Sequence, residues 1–314
     1  MSNIKVALIA CSNGLGHARR LLHVGKAWSN EADITLFATS KQFNYLENEI
    51  SITRAFKKKF NFVEINPIGL QGPQFENSSD EYEVIESTVL KNLDASDFVF
   101  SDNALWPLAY RPDTIFLGHF AWLDYYEDKI NSGKKISAKY KSFLNTEAKL
   151  LDSLKSAVLL EDFAFGKVLD IERIKRIKLP EYTKGNKLPE TIQGTAIVSI
   201  GRTGVSSIDM QLLNQKYPNY SLILAQTQDI DFTIGLPALV IGRPGLGTLR
   251  DCVELGLDFS PLHEMDFELN NNLNVLAKHS QYDKASNTYS QMDKCLIEKI
   301  PQLGEVLLAL NLLN

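Results

Sequence analysis

"IKVALIACSNGLGHARRLLHVGKAW", residues 4–28, decides the fold. "KVALIAC" is a continuous apolar run, as expected of a strand covered on both faces. A small polar turn with Gly14 and Gly16 follows. From His17 onward Leu21, Leu22, Val24, Ala27 and Trp28 recur at helical spacing. A strand, a glycine turn and a helix make an anion trap, because the first N–H groups of a helix lack internal partners and carry partial positive charge. A dinucleotide fold would place a third glycine where Arg19 stands. The end of the next strand, "LFATSK", also offers no acid for a ribose. A phosphate site and a catalytic base are the favoured readings of this turn, and a dinucleotide site is the least favoured of the three.

His17 suits the second. The positive potential of a helix N-terminus favours neutral imidazole, the form that acts as a general base. Such a base needs an orienting partner. Asp102 ends the short strand "DFVFSD", and in a parallel sheet the carboxyl ends of the strands share one edge, where ligands bind. Asp102 is therefore the expected partner of His17. The plainer alternatives are a surface histidine at 17 and an N-cap or Asx turn at "SDNALW".

The 314 residues suffice for two domains, with 44% hydrophobic and 23% charged residues. A net charge of −5 gives no bulk electrostatic reason to bind nucleic acid or an anionic membrane. "RAFKKKF" (54–60) is the best local basic patch, and a solvated face explains it more simply. Cys11, Cys252 and Cys295 have no zinc or disulfide spacing. The N-terminus lacks a signal-peptide pattern, and no apolar run reaches the roughly 18 residues of a spanning helix. A cytoplasmic protein is expected.

Strand and helix patterns alternate through "ADITLFAT", "FNFVEIN", residues 80–93, "DFVFSD" and "DTIFLGH", which argues an α/β fold with a parallel sheet. "YKSFLNTEAKLLDSLKSAVLL" reads as mostly helix. His119 and Trp122, after a strand end, are expected to line a cleft. Residues 180–194, "PEYTKGNKLPETIQG", form the best linker. The pattern then restarts with "GTAIVSIG", "IDMQLLNQKY", "YSLILAQ", "TIGLPALVIG", "GTLRDCVELG" and "LDFSPL". "NNNLNVLAKHS" and "QMDKCLIEKIPQLGEVLLALN" read as helices. The expected domains are 1–182 and 183–314, with the last helix free to pack back on the first.

"GRPGLGTLRDCVELG" (242–256) repeats the anion-trap device. Gly245 and Gly247 form its turn, Thr248 caps the helix or sits in its first turn, and Asp251 lies one turn inside. "SIGRTG" (199–204), with Gly201 and Arg202, is a further glycine turn. Polar density follows at Glu268, Asn270, Asn271 and Asn272.

Together these motifs resemble the GT-B fold nucleotide-sugar enzymes. The chain is similar in organisation to the glycosyltransferase family of the peptidoglycan N-acetylglucosaminyltransferase. The first turn also looks like the G-x-G-H-x-x-R turn of the nucleotide-sugar hydrolase of pseudaminic acid synthesis, read here from Gly14 to Arg20. The resemblance implies two Rossmann-like α/β/α domains facing across a cleft. The first would bind a glycan, lipid-linked or small-molecule acceptor, with His17 as base and Asp102 behind it. The second would bind a nucleoside-diphosphate sugar, most often a UDP-sugar, with Gly245, Gly247 and Thr248 at the phosphates and Asp251 at the ribose. Gly14, Gly16, Gly201 and Arg202 would close on the same ligand. A later D-x-Q-x-x-x-N-like segment reads Asp266, Glu268 and Asn272, with Glu268 where the family has glutamine.

The implied reaction is metal-independent, inverting transfer to an acceptor hydroxyl, with no cofactor and no nucleic-acid partner. Peripheral membrane contact is left open, because "NALWPLAYRP" and "HFAWLDYYEDK" are rich in aromatics. Two alternatives use the same residues. One is a hydrolase in which His17 activates water, and the other is a non-catalytic nucleotide-sugar-binding protein.

Overall fold

A computed structural model describes residues 4–47, 60–66, 86–133, 138–159, 162–170, 191–199, 210–224, 236–262, 267–293 and 300–312. The chain divides into two compact units, residues 1–179 with 300–314, and residues 180–299.

In the first unit the order is β1 (Ile4–Ala10), α1 (Gly16–Trp28), β2 (Ala32–Ala38), α2 (Ser40–Tyr45), β3 (Phe60–Glu64), α3 (Ser87–Asp94), β4 (Phe98–Asp102), β5 (Ile115–Gly118), α4 (Trp122–Asn131), α5 (Ala138–Ser153), β6 (Ala157–Leu159) and α6 (Lys167–Asp170). All six strands are parallel, in the order β3-β2-β1-β4-β5-β6. Both faces are covered, which is why the strands read as unbroken apolar runs. On one face Trp28 of α1 meets Phe100 with ring centroids 4.9 Å apart. On the other, Ala7, Ile9, Phe37 and Val99 pack with Val89 and Leu93 of α3. The chain winds one way from β1 to β3 and the other way from β4 to β6. The strand order therefore reverses between β1 and β4, which places a crevice at their carboxyl ends.

The second unit holds β7 (Thr191–Ser199), α7 (Met210–Lys216), β8 (Ser221–Leu224), β9 (Leu236–Gly242), α8 (Leu246–Leu255), β10 (Asp258–Pro261), α9 (Phe267–Lys278), β11 (Gln281–Asp283) and β12 (Thr288–Ser290). Its sheet order is β11-β12-β10-β9-β7-β8. β8, β7, β9 and β10 are parallel, and the β11–β12 hairpin joins β10 antiparallel. Here the order reverses between β7 and β9, whose ends pair at Ser199 and Gly242. A Cβ at Gly242 would stand 2.5 Å from the Ser199 carbonyl oxygen, so the strands meet there only because residue 242 is glycine.

Several sequence expectations shift. The "AVL" within the expected long helix is β6, the edge strand beside β5. β7 begins at Thr191, inside the expected linker, and reaches its later register through an irregularity between Ile192 and Ala196. The β11–β12 hairpin had no counterpart in the sequence reading. Of the expected C-terminal helix the described residues show α10 (Leu303–Ala309), which begins after Pro301, while residues 294–299 lie outside the described residues. Residues 80–85 and 54–59 lie outside the described residues.

α10 belongs to the first unit. The Trp28 indole donates to the Pro301 carbonyl at 2.9 Å. The Glu31 carboxylate accepts from the backbone N–H groups of Leu303 at 3.1 Å and Gly304 at 2.9 Å. A carboxylate here satisfies two donors that the helix itself cannot. Glu31→Ala should lower the midpoint of urea unfolding by the equivalent of about 1 kcal/mol. An unchanged midpoint would show that the contact contributes nothing.

Candidate active site

β1 ends at Ala10, directly beside Asp102 at the end of β4. The chain then turns at Gly14, whose φ of 76° favours glycine, and enters α1. Gln42 fastens this turn. Its side-chain amide donates to the carbonyls of Cys11 and Gly14, at 2.8 Å each. Gln42 is itself held by the capping box at the start of α2, where the Thr39 N–H donates back to its side-chain oxygen at 3.0 Å. The pattern Thr39-Ser40-Lys41-Gln42 is the capping-box signature, so this residue was readable in the sequence although its contact with the turn was not.

α1 points His17 and Arg20 at one carboxylate. Residues three apart share a helix face, so both reach Asp102. His17 Nδ1 lies 3.0 Å from Asp102 Oδ1. Arg20 Nε donates to Asp102 Oδ2 at 2.8 Å, and Arg20 Nη2 donates to Oδ1. Asp102 has 0% of its surface exposed. Burial, the strongest influence, pushes its pKa up. The charges of Arg20 and His17 and their hydrogen bonds outweigh it and hold the carboxyl below its ordinary value. An ionised carboxylate can only accept hydrogen bonds, so the 3.0 Å contact with Oδ1 assigns the proton to Nδ1 of His17, over the longer 3.2 Å approach of Arg20 Nη2 to the same nitrogen. Nε2 is left with its lone pair, the arrangement of a general base.

His119 follows β5, and its ring is stacked on that of His17 with centroids 6.5 Å apart. Three features set its place. Asn103, with φ of 54°, accepts the His119 N–H on its side-chain oxygen at 3.1 Å. Gly118, with φ of 151°, leaves room for that carboxamide, because a Cβ would fall 1.7 Å from Asn103 Oδ1. The Phe165 N–H donates to the His119 carbonyl at 2.9 Å. A left-handed Asn costs about 1 kcal/mol and survives where the surroundings impose it. Trp122 and His119 are both buried, at 3% and 1% exposed. Trp122 lies against Phe120, with its indole N–H on Cys11 Sγ at 3.1 Å. Its aromatic face is used for packing.

In the second unit, α8 begins with Gly245 as N-cap, and no side chain caps it. Thr248 lies in the first turn instead. Among the described residues nothing stands within 4 Å of a Cβ on Gly245 or Gly247. The buried Asn272 of α9 donates to the Pro244 carbonyl at 2.9 Å and ties α9 to the turn. Its Oδ1 has no partner among the described residues. Asp251 is half-buried on α8, and Glu268 is half-buried in the first turn of α9. Gly201, Arg202 and Asp266 lie outside the described residues. Among those described, no cluster of three or more His, Cys, Asp or Glu side chains could hold a metal, and no helix is long and apolar enough to cross a membrane.

No protein-family model matches the chain, and no curated protein matches it significantly. Solved structures do resemble it. One is UGT2 of Phytolacca americana complexed with UDP-2fluoro-glucose and pterostilbene, 11% identical, over 91% of this chain and 87% of that one, with a TM-score of 0.54. Another is UGT89C1 of Arabidopsis thaliana complexed with UDP-L-rhamnose, 12% identical, over 94% and 89%, with a TM-score of 0.53. A third is CalG4, the calicheamicin glycosyltransferase, 12% identical, over 88% and 84%, with a TM-score of 0.51. These likenesses establish the fold as GT-B, with two Rossmann-like α/β units in one chain.

Asp124 secures the loop beside His119. It accepts from the Ala121 and Lys167 N–H groups, at 3.4 and 3.1 Å. Burial raises its pKa to about 6. The folded state therefore keeps this proton while the unfolded chain has lost it, and stability falls as pH rises from about 4 to about 6. Asn mimics the protonated acid. Urea midpoints of the Asp124→Asn variant should gain on those of the native protein as pH rises through that window. A constant difference would contradict the assignment.

Proposed function

We propose that the protein transfers a sugar from a nucleoside-diphosphate sugar, probed first as UDP-sugars, to an acceptor hydroxyl. The observation that carries this reading is the His17–Asp102 pair at the β1/β4 crevice, with Nε2 left as a proton acceptor. The fold shared with enzymes solved with UDP-2fluoro-glucose and UDP-L-rhamnose supports the donor class.

In this reading the first unit binds the acceptor and the second binds the nucleotide. His17 Nε2 removes the hydroxyl proton as that oxygen forms a bond to C1 of the sugar. The bond from C1 to the phosphate oxygen breaks on the opposite face, and the electron pair leaves with the nucleoside diphosphate. Attack from that side inverts the anomeric centre. The N–H groups at the start of α8 receive the developing phosphate charge, so the reading needs no metal ion for that step. Gly245 and Gly247 admit the diphosphate, Asp251 accepts from the ribose, and Asn272 Oδ1 accepts from a donor group of the sugar or ribose. Glu268 stands next to that contact. Asp102 fixes the His17 tautomer.

The test is consumption of a panel of nucleoside-diphosphate sugars with and without hydroxyl acceptors. Acceptor-dependent release of the nucleoside diphosphate is expected, and His17→Ala should reduce it about 10²–10⁴-fold while nucleotide affinity stays within twofold. Equal turnover by His17→Ala would remove the base assignment. Release that is indifferent to acceptor would establish hydrolysis instead.

A further inference from the structure

We propose that Arg20 is a positioning residue of this site: it claims the Asp102 carboxylate, so that His17 takes up a proton beside a neutral ion pair rather than beside a bare carboxylate. The proposal rests on the reading of His17 as the proton acceptor, and it concerns what sets the charge around that acceptor.

The geometry is unequal. Arg20 reaches both oxygens of Asp102, Oδ2 through Nε at 2.8 Å and Oδ1 through Nη2. His17 reaches only Oδ1, which it shares with Arg20. The same guanidinium nitrogen lies 3.2 Å from His17 Nδ1. Among the described residues the groups facing the imidazole are Asp102 from β4, Arg20 from its own helix and His119 from the end of β5. Arg20 and Asp102 are both buried, so water screens little of their charge. A guanidinium stays charged at all relevant pH, and its planar fork matches a carboxylate.

Charge accounting gives the consequence. In an isolated His–Asp pair, proton uptake takes the formal charge from −1 to 0. With Arg20 in place it goes from 0 to +1, with the new charge beside an existing cation. Asp102 thus fixes the tautomer and direction of His17 while supplying less net attraction for the imidazolium. Among the described residues only Arg20 is bonded to both oxygens of Asp102. Arg19, one residue earlier, lies off the face that meets Asp102.

NMR titration of the His17 ring in the full-length protein, without ligand, reads this directly. The signals are assigned by their loss in His17→Gln. In Arg20→Gln the titration midpoint should rise by about 1 pH unit or more. In Arg20→Lys, which keeps the charge, it should stay near that of the native protein. A midpoint in Arg20→Gln that is unchanged or lower would overturn the proposal. Arg20→Gln leaves a buried carboxylate with one partner fewer, so a measurement on the native protein stands beside it. The Arg20 Nε–H signal, assigned by its loss in Arg20→Lys, should remain slow to exchange with water across the His17 titration. Rapid exchange while His17 is neutral would show that Arg20 does not hold the carboxylate. Neither measurement involves a substrate. Failure of every donor to turn over would therefore sink the transferase reading and leave the Arg20 result standing.

Discussion

Asp102 is a carboxylate with no exposed surface at the end of a central strand, and it is ionised there because Arg20 and His17 bind it. Removing one partner of a buried ion pair generally costs about 3–5 kcal/mol, so such a group imposes order on what surrounds it. α1 must start at Gly16 for residues 17 and 20 to face Asp102 together. The turn before it must end where Gln42 holds it. β1 must pair with β4 so that Ala10 and Asp102 stand side by side. The residue after Asp102 is Asn103, whose left-handed backbone turns the chain and whose side chain fixes His119.

The two units use one rule. In each sheet the order of the parallel strands reverses, at β1/β4 in the first and at β7/β9 in the second. Each places a glycine turn and a helix N-terminus after a strand at that reversal. They diverge in chemistry. The first adds a histidine, an arginine and an aspartate, which suits proton transfer. The second keeps an uncapped helix start beside Asn272, which suits an anionic ligand with hydroxyl groups.

Much of this was legible in the sequence, because strands covered on both faces give unbroken apolar runs and glycine turns stand out against them. His17 and Asp102 could be paired because both follow strands that end at one edge of a parallel sheet. Arg20's hold on Asp102 was not legible. It depends on the phase of α1, which a shift of one residue would have handed to Arg19. His119 was singled out only by its place after a strand. Its setting needs the distant Asn103 and Phe165, which no local pattern joins. β6 was hidden because three apolar residues after an amphipathic helix read as its continuation. The β11–β12 hairpin was hidden because "QYDKASNTYS" is mostly polar, buries only Tyr289 and lies at the sheet edge.

A chain that handles nucleoside-diphosphate sugars should be stabilised by the nucleoside diphosphate it binds. A ligand that binds only the folded state must raise the apparent melting temperature. UDP, GDP, dTDP, CDP, ADP, NAD and NADP would be compared at equal concentration. A clear rise with one nucleoside diphosphate and none with NAD or NADP is expected. A rise with NAD or NADP alone, or with none of the seven, would contradict the nucleotide-sugar reading.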